Sequence, residues 1–388
     1  MGSDDFECGY RPTGDKHVCP DCLEDDFLKE HIKSLVDSTY CDYCGRESEE
    51  LIAAPLDELI EYIISCVETE YGNPDDEGVP VEGGEYVWPV LDSYDLIGDE
   101  IGLDGNQPVI DDIITALSDR QWVEKDYRTA DIMLSGWARF VREIKHHRRY
   151  FFGLETDEYM GIDVAPWQFL DRLKNEILDV PLTKTIKTDD LLFRARAHDN
   201  SKTYSRAAEL CTPKAEDAFY SNRMSPAGIP MFYGATDIAT AIAEAHHTKP
   251  AEPCVTVGVF KPLRDLVVLD LTALPEIPNI FDDQNNYLRA TISFLREFVK
   301  DLIKPIVRDD KIHVEYVPTQ VITEFIRHSL KTEDGTKFDG ILYKSSVNPA
   351  GTSCVLFVEN DECCDKNVAQ REWKPYILSL NDTQRSVI

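Results

Sequence analysis

The hydrophobic pattern of the chain changes its period near residue 180, and this change limits the fold more than any other feature. Before it, apolar residues recur at helical spacing, which predicts helices over residues 55–70, 109–120, 131–148 and 167–179. After it, short runs rich in β-forming residues predict strands. The two patterns predict an all-α middle domain at residues 51–186 and an α+β domain at residues 187–365.

The β-forming runs are too short and too irregularly spaced for a βαβ repeat, so they predict a mixed sheet with helices set against it. The chain has no Gly-x-Gly-x-x-Gly or Walker sequence, so a nucleotide would have to be held in another way. Residues 180–190 are predicted as a linker and residues 366–388 as a C-terminal tail. The predicted strands lie at residues 191–196, 231–233, 254–261, 266–270, 340–344 and 353–358, and a strong helix is predicted at 287–303.

Two Cys-x-x-Cys pairs stand near the start of the chain, Cys19 with Cys22 and Cys41 with Cys44. The segment between the pairs has the length typical of a zinc site built from two knuckle turns. Four thiolates complete a tetrahedral zinc site and leave no open position, so such a site is structural. The pattern predicts a zinc ribbon in residues 1–50, in a reducing compartment where metal ligation is favoured over disulfides.

The composition limits the partners of the chain. Its 72 acidic and 40 basic residues give a net charge of -32, which makes nucleic acid an unfavourable partner. No apolar run approaches the length needed to span a membrane, and the first residues are acidic and polar without a visible secretory signal. We therefore expect a cytoplasmic protein that does not enter a membrane.

The stretch from Arg223 to Glu244 combines a turn, a strand and a helix. The turn Ser-Pro-Ala-Gly-Ile-Pro follows Arg223, and a short strand then carries Tyr233. Asp237 is a suitable N-cap for the Ala-rich helix that carries Glu244. One Arg, one Tyr and one Glu can thus reach a single cleft, a set of groups suited to a sugar-phosphate ligand.

This stretch resembles the RES domain, a family named for its Arg, Glu and Ser residues. Leu-Leu-Phe-Arg-Ala-Arg, with Arg194, fits the first strand of the family pattern, and Asn-Arg-Met-Ser-Pro-Ala-Gly, with Arg223, fits the second element. The resemblance covers roughly residues 188–360, and Gly-Ile-Leu-Tyr-Lys-Ser-Ser-Val closes it. Met224 departs from the family, which usually has Trp there. Ser345 and Ser346 compete for the final role.

The resemblance implies an ADP-ribosyltransferase-like fold and an NAD-destroying toxin or defence effector. It implies cleavage of the nicotinamide–ribose bond of NAD by phosphate or by water; transfer of ADP-ribose to a macromolecule is the alternative within this fold. We expect inorganic phosphate, an inhibitory or triggering protein, and a second copy of the chain as partners. The catalytic residues that it implies are Arg194, Glu244 and Ser345, and the substrate-binding residues are Arg223, Tyr233 and Ser346.

The helical region resembles the HEPN-type region that some RES proteins carry ahead of the catalytic domain. Arg142 and His147 have the Arg-x4-His spacing of HEPN ribonucleases, in which His acts as acid or base and Arg stabilises a phosphate. The alternative is a helix C-terminus whose cations offset the helix dipole, with the aromatic residues 150–152 packed inward. An RNA-cleaving function with the RES region as a sensor stays open on the sequence alone.

Overall fold

The structure is a computed structural model that describes residues 9–125, 129–151, 164–304 and 312–387. The chain divides into two compact units. The first unit comprises Met1–Thr129 together with Ile277–Ala290, and the second comprises Ala130–Glu276 together with Thr291–Ile388. Across the described residues, no helix combines the length and the apolar character that membrane crossing requires.

Among its described residues, the first unit contains three α-helices, a six-residue π-helical segment at Asp95–Glu100 and short strand pairs. Two-residue strands pair as β1 with β2, β3 with β6 and β4 with β5. The helices are α1 (Asp26–Leu35), α2 (Leu56–Val67) and α3 (Gln107–Ala116). The strands are β1 (His17–Val18), β2 (Ala54–Pro55), β3 (Tyr71–Gly72), β4 (Val81–Glu82), β5 (Glu85–Tyr86) and β6 (Val123–Glu124).

A single apolar core holds the first unit together. The helix predicted over residues 55–70 is confirmed as α2, whose apolar residues at helical spacing are buried. Cys19, Cys22 and Cys41 lie in the same core, at most 2% exposed. The cysteine pairs therefore share their core with α2 and α3 and do not form a separately packed ribbon.

Residues 277–290 belong to the second half of the sequence but pack in the core of the first unit. Ile280 and Phe281 are buried in it, and the Tyr62 hydroxyl donates to the Phe281 carbonyl at 2.7 Å. Arg289 forms an ion pair with Glu70 at 2.6 Å. Periodicity along the chain cannot reveal this packing, because contacts such as Tyr62–Phe281 and Glu70–Arg289 each join residues 219 positions apart.

The second unit is built on a nine-stranded mixed sheet, which confirms the predicted α+β class. The strand order is β14-β15-β10-β8-β9-β13-β12-β11-β7. The pairs β11–β12 and β14–β15 are parallel and the other pairs are antiparallel. The strands are β7 (Thr183–Ile186), β8 (Leu192–His198), β9 (Phe232–Ala235), β10 (Cys254–Pro262), β11 (Leu266–Asp270), β12 (Gly340–Lys344), β13 (Thr352–Leu356), β14 (Cys363–Asp365) and β15 (Leu378–Val387).

Helices cover the sheet and form a second cluster beside it. On one face, α7 packs Ile238, Ile242 and Ala245 against Phe193 and Ala195 of β8. An aromatic cluster joins α4, α5 and α8, with the Trp137 and Phe298 rings 5.0 Å apart. The helices of this unit are α4 (Thr129–His146), α5 (Pro166–Leu178), α6 (Ala207–Leu210), α7 (Ile238–Thr248), α8 (Arg289–Ile303), α9 (Ile312–Glu315) and α10 (Val317–His328).

The structure differs from the sequence predictions at both ends of the sheet. β7 lies within residues 180–190, predicted as a linker, and pairs antiparallel with β11. Residues 366–388, predicted as a tail, contain β15, which pairs with β10 along its whole length. Both strands are rich in polar residues, so neither carries the apolar alternation by which a strand is recognised. Moreover, α4 and α5 belong to the second unit, although they were predicted with the middle domain.

Candidate active site

The residues singled out in the sequence lie on neighbouring elements of the second unit. Arg194 is on β8, Tyr233 on β9 and Glu244 on α7, and Ser345 directly follows β12. The predicted N-cap of α7 is confirmed: the Asp237 carboxylate accepts from the Thr240 backbone N–H at 2.8 Å. This cap fixes where the helix begins and therefore where Glu244 lies along it.

Glu244 is held by two serine hydroxyls. Ser345 Oγ donates to Glu244 Oε1 at 2.7 Å, and Ser353 Oγ donates to the same oxygen at 3.1 Å. Both serines are buried, with 3% and 2% exposure. Ser346, the competing neighbour, is exposed. The structure thus brings Ser345 to the carboxylate and leaves Ser346 at the surface.

The turn between β12 and β13 is tied to the start of α7. Asn348 Nδ2 donates to Thr240 Oγ1 at 2.7 Å, and the Asn348 backbone N–H donates to Ser345 Oγ at 3.1 Å. A Cβ added to Gly351 would lie 1.9 Å from Thr240 Oγ1, so only glycine permits this close approach. These contacts fix the Ser345 hydroxyl as a donor toward Glu244.

Two tyrosines interact with each other in this region, and one of them, Tyr343, also interacts with the Glu244 carboxylate. The Tyr233 hydroxyl accepts from the Met224 backbone N–H at 3.2 Å and bonds Ser225 Oγ at 2.9 Å, and burial raises its pKa to about 12. Burial, and after it the charge of Glu244, raise the pKa of Tyr343 well above its usual value. Both rings are therefore neutral at physiological pH, and Tyr343 lies within electrostatic range of Glu244.

Arg223 caps the end of a helix. Its Nη1 donates to the carbonyl oxygens of Leu302, at 3.3 Å, and Lys304, at 2.6 Å, which close the last turn of α8. A cation at a helix C-terminus is stabilised by the helix dipole. The Arg223 charge also lowers the pKa of Tyr343, opposing the effect of Glu244, so Arg223 and Glu244 act on the same tyrosine.

Arg194 lies where two strands diverge and forms a hydrogen bond from one to the other. β8 and β9 pair at one position, Phe193 with Ala235, and Arg194 Nη1 donates to the Tyr233 carbonyl at 3.1 Å. Strand alternation places Arg194 on the opposite face of β8 from α7. Burial and the nearby charge of Arg196 lower the pKa of the Arg194 guanidinium to about 10. Arg194 thus reaches the backbone of β9 and not the Glu244 carboxylate.

Comparison with known families finds two matching domain models. Residues 191–379 match the family model described as the RES domain. The chain carries a RES domain. Residues 36–158 match the HEPN/RES N-terminal domain 1, so the resemblance predicted for both regions is confirmed. No curated protein and no solved structure matches the chain. The RES match includes the start of β15, in agreement with a sheet that extends beyond residue 365.

Sequence reasoning missed Ser353 and Tyr343 of the RES domain. The two residues are Cα partners across the β12–β13 pair, and this register places their side chains on one face of the sheet. Tyr343 lies two residues before Ser345 in a strand that the sequence predicted. Ser353 carried no such signal, because its contact with Glu244 follows from the strand register and from the position of α7.

The basic run ahead of the RES domain forms no comparable cluster. Arg142 and His147 are both exposed at the end of α4. Arg148 Nε is paired with the Glu143 carboxylate at 2.5 Å, and Lys145 with Glu315 at 2.7 Å. The aromatic residues 150–152 were predicted to pack inward. This is wrong for Tyr150 and Phe151, which are 84% and 72% exposed. Phe152 lies outside the described residues.

The four cysteines predicted as ligands form one cluster in the first unit. The ligand atoms of Cys19, Cys22, Cys41 and Cys44 lie within 4.8 Å of one another. The Sγ atoms of Cys19 and Cys22 are 3.7 Å apart, and those of Cys19 and Cys44 are 3.5 Å apart. Thiolates around a tetrahedral zinc with Zn–S bonds of about 2.3 Å would be about 3.8 Å apart. The cluster therefore fits a tetrahedral metal ion.

Proposed function

We propose that the RES domain consumes NAD by cleaving its nicotinamide–ribose bond. The observation that carries the proposal is the Glu244 carboxylate, held by two buried serine hydroxyls within electrostatic range of the neutral Tyr343. A fixed carboxylate in a site partly shielded from water stabilises a positive charge that develops next to it. The association of RES proteins with NAD-acting enzymes supplies the substrate class.

In the proposed reaction, the bond between C1′ of the ribose and N1 of the nicotinamide ring breaks. Its electron pair stays with the ring, which leaves as neutral nicotinamide, and the ribose acquires oxocarbenium character. Glu244 stabilises this cation, and Ser345 holds the carboxylate in place. An oxygen of phosphate or water then bonds to C1′; with water, the surplus proton passes to solvent.

The remaining residues bind the substrate. Tyr233 and Tyr343 would border the nicotinamide and ribose, because both rings are neutral and present apolar surface. Arg223 would approach the pyrophosphate with the N–H donors that do not cap α8. Within the described part of the chain, Arg194 donates one hydrogen bond, to the Tyr233 carbonyl, and its other donors would bind a phosphate. Ser346 would contribute a hydroxyl from the edge of the site.

We also propose an ADP-ribosyltransferase-like arrangement for the RES domain, in which NAD enters where β8 and β9 diverge. The single pair between these strands supports the proposal, because it leaves a gap in an otherwise continuous sheet. A toxin or defence role in the cytoplasm, an inhibitory or triggering protein partner and a homo-oligomer are part of the same proposal. They follow from the family resemblance, since free NAD consumption would harm the host cell.

Zinc is the metal proposed for the four-cysteine cluster. Four thiolates select zinc over the hard cations, and three of the four cysteines are buried in the core of the first unit. The closed ligand set makes the role structural. Metal analysis of protein purified without chelator tests the proposal, and we expect one zinc per chain.

One assay tests the enzymatic proposal directly. The purified full chain is incubated with NAD, with and without phosphate, and free nicotinamide is followed over time. Faster release with phosphate identifies phosphorolysis, and equal release identifies hydrolysis. Incorporation of ADP-ribose into added protein or nucleic acid would identify transfer to a macromolecule. Absence of nicotinamide release under every condition refutes the proposed function.

A further inference from the structure

Ser353 is placed to control the orientation of Glu244. It lies in β13 with Cα partners on both sides, Ala235 of β9 and Tyr343 of β12, and is 2% exposed. A residue paired on both sides within a sheet has little freedom to move. The Ser353 hydroxyl is therefore a rigid donor, whereas Ser345 stands at the start of a turn.

Both serine hydroxyls bond the same oxygen of Glu244. Oε1 accepts from Ser345 and from Ser353, and among the described residues no hydrogen bond reaches Oε2. A glutamate side chain has three torsions, and fixing them costs conformational entropy. Two donors on one oxygen hold these torsions and leave Oε2 as the oxygen available to a ligand.

We propose that Ser353 is a positioning residue for NAD cleavage: with Ser345 it fixes the Glu244 carboxylate so that Oε2 faces C1′ of the nicotinamide ribose. This inference rests on the proposed function. Ser353 touches neither the substrate nor the reacting bond, so it acts through Glu244 alone. Its removal should therefore change the chemical step and leave substrate binding almost unaffected.

The test compares Ser353→Ala, Ser353→Thr and the matched control Thr352→Ala in the full chain. We expect Ser353→Ala to lower kcat about tenfold, equivalent to about 1.4 kcal/mol, with KM within about twofold of wild type. Ser353→Thr keeps the hydroxyl and should recover most of the activity. Thr352→Ala should match wild type, because the Thr352 side chain lies on the other face of β13.

A double variant separates positioning from a general structural effect. In a Glu244→Gln background, Ser353→Ala should lower kcat no further, since the charge that Ser353 orients is already lost. A further tenfold loss there would overturn the proposal. So would a rise in KM at unchanged kcat, or a failure of Ser353→Thr to recover activity while its melting temperature equals that of wild type.

The proposed function and this inference fail in different ways. A wild-type chain that releases no nicotinamide refutes the function, whatever Ser353 does. The melting temperatures of wild type, Ser353→Ala, Glu244→Ala and the variant with both changes then still report the Ser353–Glu244 contact, because Glu244→Ala removes the acceptor. Shifts that add in the variant with both changes would show that Ser353 does not hold Glu244.

Discussion

Replacing Glu244 by Gln and by Ala separates the charge of its carboxylate from its hydrogen bonds. In Glu244→Gln the amide oxygen can still accept from Ser345 and Ser353, so the local packing is kept. The neutral amide cannot stabilise a developing cation. An oriented electrostatic contact of this kind contributes about 3 kcal/mol, so we expect kcat to fall roughly a hundredfold.

Glu244→Ala removes the acceptor as well as the charge. The hydroxyls of Ser345 and Ser353, 3% and 2% exposed, then lose their common partner. Each buried polar group left without a partner costs about 1–3 kcal/mol. We therefore expect Glu244→Ala to lose stability as well as activity, whereas Glu244→Gln loses activity alone.

The assay measures nicotinamide release at saturating NAD, and the melting temperature of each variant is recorded in parallel. Glu252→Gln, the same substitution a short distance beyond α7, is the control and should behave like wild type in both measurements. Release by Glu244→Gln at the wild-type rate would refute the role of the charge. Equal destabilisation by Gln and by Ala would refute the hydrogen-bond argument.

Four further predictions follow from the structure. Cys41→Ser should lose the bound zinc in metal analysis and lower the melting temperature of the first unit, because Cys41 is fully buried in its core. Arg223→Met should raise KM for NAD about tenfold in steady-state kinetics, because the substrate loses roughly one charge-assisted hydrogen bond. Burial raises the pKa of Tyr233 to about 12, so between pH 10 and pH 12 the unfolded chain loses the Tyr233 proton while the folded chain keeps it. The free energy of unfolding should therefore fall as pH rises through this range. Denaturant unfolding at several pH values should show a smaller fall for Tyr233→Phe than for wild type. His147→Ala should leave nicotinamide release unchanged, and cellular RNA should stay intact with either form, because His147 is exposed.

The sequence predicted helices and strands correctly where their apolar residues form a local pattern and are buried. The strand at 340–344 is a short continuous apolar run, and the helix α2 carries apolar residues at helical spacing. The structure places both where the sequence predicted. β7 and β15 were missed because sheet hydrogen bonds to β11 and β10 form them, and such bonds require no apolar side chains.

The sequence predicted only part of the candidate site, because some of its contacts depend on how the strands pair. Arg223, Tyr233 and Glu244 stand in one continuous stretch, so a turn, a strand and a helix were enough to bring them near one another. Ser353 reaches Glu244 across more than 100 residues, through the register of β13 and the packing of α7. The sequence named the elements, but the register that joins them is set by the whole sheet.

Because residues 277–290 pack in the first unit, neither half of the sequence can be transferred to another protein without disrupting a core. A gene fusion or duplication that carried residues 191–379 alone would take Ile280 and Phe281 away from the apolar core that covers them. A fragment ending at residue 129 would in turn leave a hole in that core. We therefore expect recombination to keep the two halves of the sequence together. A substitution in one half would be selected for its effect on both units.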